Sequence, residues 1–215
     1  AQLVGPGIQA MMNGLGAVIN SATQLTPFPM GILVSVIVGM VLTAPISSAA
    51  LCIMLDLNGL AAGAAVVGCC CQMVGFAVAS FRENGWGGLV SQGLGTSMLQ
   101  MPNIVKNPRI WIAPTLTSAI TGPIATCVFH LEMNGAAINS GMGTCGLCGQ
   151  LGVWTGWISP SADALANGAA AIAPTAFDWA GLLLISFVLP AILCPLINQL
   201  CCRAGWVKQG DLTLA

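Results

Sequence analysis

Apolar positions in this chain gather into runs long enough for a bilayer, not into the alternating stripes of a soluble fold. Met30 to Thr43 (MGILVSVIVGMVLT) reads as a membrane helix. Pro45 interrupts it, and the small, polar stretch Ser47-Ser48-Ala49-Ala50 precedes a short apolar run from Leu51 to Leu57. Leu60 to Phe81 is the clearest span and ends at Arg82-Glu83; Ile110 to Leu131 and Trp179 to Leu200 are two more. A hydrocarbon core takes ~20 residues of helix, so the pattern predicts about four full spans. Pro114, Gly122-Pro123, Pro190 and Pro195 fall inside them, and the backbone groups such residues free need neighbouring protein. The predicted fold class is all-α, a polytopic membrane bundle with broken helices.

The remaining segments are uncharged but not clean spans. Ile8, Met11, Met12, Leu15, Val18 and Ile19 recur at helical spacing, with Gln9, Asn13 and Asn20 opposite. That predicts a helix with one polar face, lying in the interface or against another segment. Residues 87–100 and 134–157 are Gly-rich and too polar to face lipid as plain helices.

Composition supports this reading. Charged residues make up 5% of the chain and hydrophobic ones 56%, whereas a soluble domain carries about a quarter charged residues. The net charge of −1 excludes a basic field for nucleic acid. Cys52, Cys69, Cys70, Cys71, Cys127 and Cys194 lie in apolar runs, where cysteine acts as a small hydrophobe; reduced, structural thiols are expected. The chain opens on Ala1 with no charged leader. It is expected to be a single transmembrane domain over residues 1–215, the C-terminal part of a longer polypeptide.

Five cations then set a topology. Arg82 follows one span, Lys106 and Arg109 precede the next, and Arg203 and Lys208 follow the last. If residues 87–103 dip in and return on one side, every cation faces the cytoplasm. The second Gly-rich segment then re-enters from outside. The two segments also share a motif: Gly93-Leu94-Gly95-Thr96-Ser97-Met98-Leu99 aligns with Gly141-Met142-Gly143-Thr144-Cys145-Gly146-Leu147, 48 residues on. Transporters use paired inverted repeats whose broken helices meet and bind solute with freed backbone groups; the bland reading is close packing of small residues. The backbone at Gly95-Thr96 and Gly143-Thr144, with Ser97, Gln100, Asn103 and Gln150, forms the candidate site for a neutral, hydroxyl-rich solute, because these side chains both donate and accept.

Other chemistry is sparse. His130 and Glu132 end a span, about 200° apart on an ideal helix, and read either as interfacial groups or as part of a ligand site. Asp56 reads as a loop residue or a functional carboxylate at depth. The GxGxxG at Gly141, Gly143 and Gly146 lacks the βαβ unit a dinucleotide fold needs. Cys145 and Cys148 form a CxxC without a second ligand pair. No triad, carboxylate dyad or zinc signature is present, so no catalytic residue, metal or cofactor is expected, and the chain is not expected to be an enzyme.

The stretch GLGTSMLQMPNIVKNPRIWIAPTLTSAITGPIATCVF (Gly93 to Phe129), with GMGTCGLCGQLG, PFPMGILVSVIVGMVLTAPISSAA and GCCCQMVGFAVASFRENG, resembles the phosphotransferase-system EIIC-like membrane protein family, which includes perfringolysin O regulator-type proteins. The likeness covers roughly residues 1–155; members are longer, with further N-terminal spans. The resemblance implies a membrane-embedded sugar permease component in a bacterial cytoplasmic membrane, multi-pass and oligomeric, expected as a homodimer. Phosphate would come from separate phosphotransferase subunits. The alternative reading is a ligand-sensing membrane regulator without transport; a third is a lipid-packed subunit of a larger complex.

Overall fold

The computed structural model describes residues 17–214. Residues 17–25 are helical; the first part of the amphipathic segment, including Ile8, Met11, Met12 and Leu15, lies outside the described residues. Val18 is exposed, Ile19 packs on the core, and the Asn20 amide donates to the Asp56 carbonyl at 2.9 Å.

Helix α1, Pro27–Thr43, starts with proline in its first turn, where no amide is needed. It stops because Ala44 precedes Pro45 and goes extended, with φ −68° and ψ 160°. Helix α2, Ser48–Met54, is capped by the Ser47 hydroxyl on the Ala50 amide. A turn through Asp56 (φ +46°) leads into α3, Gly59–Ala79. The chain then turns at Ser80 into α4, Phe81–Val90, and on through a π-turn, Ser91–Gly95, and a 3₁₀ turn, Ser97–Gln100, to α5, Met101–Lys106. Helix α6, Ile112–Pro123, follows a 3₁₀ turn and runs on as a π-turn, Ile124–Val128. Two 3₁₀ turns, Ala137–Gly141 and Cys145–Leu147, lead to α7, Cys148–Ile158, and α8, Ala162–Ala166. Helix α9, Ala176–Leu183, joins α10, Leu189–Arg203, through the π-turn Leu184–Val188. Both long proline-bearing runs thus stay continuous, with a π-turn beside Pro123 and another just before Pro190; such bulges let a ladder pass a missing amide.

Among the described residues, three runs are long and apolar enough to cross a membrane: Gly59–Ala79, Pro108–Val128 and Ala176–Arg203. They are not equivalent. Protein buries 94% of the window in the first but only 33% in the last. So α3 is the axis of the bundle, and α10 lies at its periphery. The small residues of α3 permit this, since neighbours' backbones approach closely; a Cβ on Gly68 would run into the Ser35 carbonyl of α1. Hydroxyls bind the seam as well. Ser35 donates to the Ser118 carbonyl at 2.9 Å, and Cys71 and Thr121 share a hydrogen bond at 2.9 Å.

The pattern-based expectation of about four spans is corrected at the first run. Thr126 donates to the Pro27 carbonyl, so α1 begins where α6 and its π-turn end. Thr43, its last residue, reaches only as far as Gln72 of α3. The chain then returns through α2 to Asn58. Residues 27–58 therefore form a hairpin that enters and leaves at the Gly59 end of α3. Hydropathy reports composition and not depth, so the run from Met30 to Thr43 has the hydropathy of a crossing although its 17-residue helix is one arm of a hairpin.

The cations gather at one end. Near Ala79 lie Arg82, Lys106, Arg109, Arg203 and Lys208, on segments stitched together by hydrogen bonds: Asn84 and Gln100 to the Leu212 carbonyl, Asn103 to that of Thr213, and Asn107 to that of Trp206. Near Gly59 lie Asp56, His130, Glu132, Asp163 and Asp178, where the Met133 amide donates to the Gly59 carbonyl and the Ser161 amide to that of Asn134. We call these the basic and acidic ends.

Candidate functional site

The two Gly-rich segments are re-entrant, and they meet. The first leaves α3 at the basic end, passes Gly93 against Ala77 and Ser97 against Thr43, and returns through α5 to the same end. The second leaves the acidic end at Asn134, descends to Gly143 and Thr144, and returns through α7, whose Gly156 packs on Asn134 and Gly135. At the junction the Thr144 hydroxyl, fully buried, donates to the Gly93 carbonyl at 2.6 Å and lies 3.6 Å from the Met73 sulfur. Met73 is about 21 Å along α3 from Gly59 and about 9 Å from Ala79. The junction is therefore off centre, because the second dip is deep and the first is shallow.

Local sequence explains the second tip. Gly143 (φ +53°) and Gly146 (φ +52°) adopt left-handed conformations, and so does Leu147 (φ +61°). A Cβ on Gly143 would sit 2.6 Å from Cys69 Cβ, so only glycine fits there on both counts. The reversal hangs on short backbone links: Cys145 amide to Met142 carbonyl at 3.0 Å, and Gly149 amide to Gly143 carbonyl at 2.9 Å.

The sequence matches the family described as phosphotransferase system, EIIC, over residues 1–214. The chain belongs to this family. It is an integral membrane protein and, in general terms, a membrane component of sugar transport. No curated protein and no solved structure matches it.

In this EIIC chain the candidate residues fall in three places. Thr144 touches the first segment at Gly93, Gly143 beside it packs on Cys69, and residues 91–95 pack on residues 145–147. Close by, the Ser97 hydroxyl pairs with Thr43 at 2.8 Å, Thr96 accepts the Met98 amide at 3.2 Å, and the Gln150 amide donates to Cys70 at 3.2 Å. Gly95 is exposed beside them. Gln100 and Asn103 are elsewhere. The Gln100 amide donates to Gln92 and to the Leu212 carbonyl, each at 2.9 Å, and Asn103 donates to Gln100 and to the Thr213 carbonyl. These amides anchor the C-terminal tail.

His130 and Glu132 lie at the acidic end, both exposed, around a cavity of about 260 Å³ that Trp157 and Asp178 also line. His130 has φ +44°, so the helix has unwound there and the ideal 200° spacing does not apply. Glu132 accepts from Asn134 at 3.0 Å. Asp56 sits in the turn before α3; burial pushes its carboxyl above the usual value, and nearby Asp163 adds to the rise.

Residues that the sequence reading passed over complete the picture. Gln72, fully buried on α3, accepts from Thr43 at 3.2 Å and from the Trp111 indole at 3.1 Å. Its Nε2 has no partner among the described residues, and neither do Gln150 Oε1, Ser186 Oγ and Thr115 Oγ1. A glutamine inside the clearest apolar span was the available signal, because an amide there must be satisfied. The cysteines are free thiols, and no group of His, Cys, Asp and Glu among the described residues could hold a metal ion.

Proposed function

We propose that this chain is a solute permease of the EIIC type, multi-pass in a bacterial cytoplasmic membrane with its basic end inward, and that the junction of the two tips on α3 is the barrier its solute crosses. The contact of Thr144 with Gly93 carries the reading, because two broken segments from opposite ends converge on one point of a buried axis. The gathering of all five Lys and Arg at one end supports the orientation.

The solute is a neutral, hydroxyl-rich molecule. Both motifs are free of formal charge, while Gln72 Nε2 offers a donor and Gln150 Oε1 an acceptor at the depth of the junction. The cavity at His130 and Glu132, with Trp157 on its wall, serves as the outer vestibule. Phosphorylation draws on a separate phosphotransferase protein meeting the basic end, and the chain works as a homodimer.

Counterflow of neutral sugars and polyols into proteoliposomes tests this. One such solute should exchange, and Thr144→Val and Gln72→Leu should slow exchange about tenfold, the worth of one buried hydrogen bond. Binding without exchange in the wild type would mean a sensor instead. Binding untouched by Thr144→Val but abolished by Glu132→Gln would point to a cationic or proton-linked ligand.

A further inference from the structure

At the basic end, the last turn of α3, the length of α10 from Ile192 to Cys202 and the C-terminal tail enclose a cleft of about 530 Å³. Its wall from α10 is one helix face: Ile192, Pro195, Leu196 and Gln199 follow one another at helical spacing toward Arg203. The wall changes character along that direction. The deep part is apolar, and Ile192 and Leu196 are 52% and 53% exposed, open to the surroundings of the bundle. The mouth is polar and carries the exposed cations Arg82 and Lys208.

The carboxylates nearby have other occupations. Glu83 accepts from the Gly210 amide at 2.9 Å, the Leu212 amide at 3.0 Å and the Thr213 hydroxyl at 3.0 Å. Asp211 accepts from Asn107 at 2.8 Å and from the Lys208 amide at 2.9 Å. Glu83 also lines the cleft and keeps its charge, but its oxygens are turned to the amides and hydroxyl of the tail, and the two cations outnumber it at the mouth.

We propose that this cleft binds one anionic phospholipid, its phosphate between Arg82 and Lys208 and an acyl chain along Ile192 and Leu196. A free phosphate or a phosphorylated sugar would use the cations alone and has no use for the apolar depth. A zwitterionic lipid would use the depth but gain less from two cations, each worth ~1 kcal/mol toward an anionic membrane surface. Bound lipid would brace the tail against α10, on the same end as the anchors Gln100 and Asn103.

Native mass spectrometry of the full chain, with phosphatidylglycerol or phosphatidylcholine added, reads the site. One phosphatidylglycerol should be retained in preference to phosphatidylcholine. The Arg82→Gln, Lys208→Gln double variant should weaken retention by about thirtyfold, the effect of two such cations. The charge-keeping pair Arg82→Lys, Lys208→Arg should hold the lipid, separating loss of charge from loss of fold. Equal retention of the two lipids would overturn the proposal, as would undiminished retention by the neutral variant. Displacement of the lipid by millimolar inorganic phosphate would overturn it too, by showing that the headgroup alone carries the affinity.

Discussion

The two re-entrant segments share a motif, yet different forces hold them. The first is held by side-chain amides: Gln92 donates to Ser80 at 2.9 Å and accepts from Gln100, which also grips the tail. The second is held by glycines that bring backbone against backbone, with Gly141 on Ser48, Gly143 on Cys69 and Gly149 on Gly143. A hydrogen-bonded segment can exchange partners and shift. A glycine-packed one has little slack, because a carbon added at Gly141, Gly143 or Gly149 runs into a neighbour. On the permease reading proposed above, the shallow basic-end segment would be the part that moves and the deep one the part it moves against.

That contrast is most easily broken at Gly143. Gly143→Ala adds a left-handed alanine, ~1–2 kcal/mol, and an overpacked contact, ~1–3 kcal/mol. The expected result is a large fall in melting temperature in detergent with exchange abolished; near wild-type stability would show that the tip is not rigid. Gln100→Leu comes next, leaving the Gln92 oxygen without its donor and the Leu212 carbonyl with that of Asn84 alone, at a cost of about 1–3 kcal/mol. Proteolysis should then release the C-terminal tail, while the second segment stays protected from hydrogen exchange. Loss of protection in both segments alike would erase the distinction.

How far the sequence carries these features differs from residue to residue. The repeat was legible because four of its seven positions are identical, and its opposite approach followed from five cations. The roles of Gln100 and Asn103 were not legible. Their motif neighbourhood pointed to solute, but their partners, Leu212 and Thr213, lie more than a hundred residues on, and no local pattern encodes such a pairing. Gln72 was hidden for the opposite reason: it sits in the most uniform apolar run, where composition outweighs one amide. The hairpin that α1 forms with α2 is not legible because Pro45 looks the same in sequence whether it kinks a span or ends one.

A smaller effect is expected at the junction itself. Thr144→Val keeps the shape but removes the donor to the Gly93 carbonyl, so stability should fall by about 1 kcal/mol, well below the loss at Gly143. An equal loss would place the strength of the second segment in its hydrogen bond and not in its glycines. The smallest concerns Asp56, away from both segments. Its carboxyl titrates above the usual value, so ionisation costs the folded state; the penalty is present above the raised value and disappears as pH falls through it. Asparagine tolerates the φ of +46° found there. Asp56→Asn should therefore melt slightly higher than wild type at neutral pH, with the gap closing on acidification; a gap that widens in acid would reverse the sign.

The claim that two tips from opposite ends meet at the barrier is tested most directly by cross-linking. A photo-crosslinking residue placed at the exposed Leu94 should capture peptides from residues 141–150, with a yield that falls when a transported solute saturates the protein. Capture confined to segments outside residues 141–150 would contradict the account, as would a yield indifferent to a solute that the protein demonstrably moves.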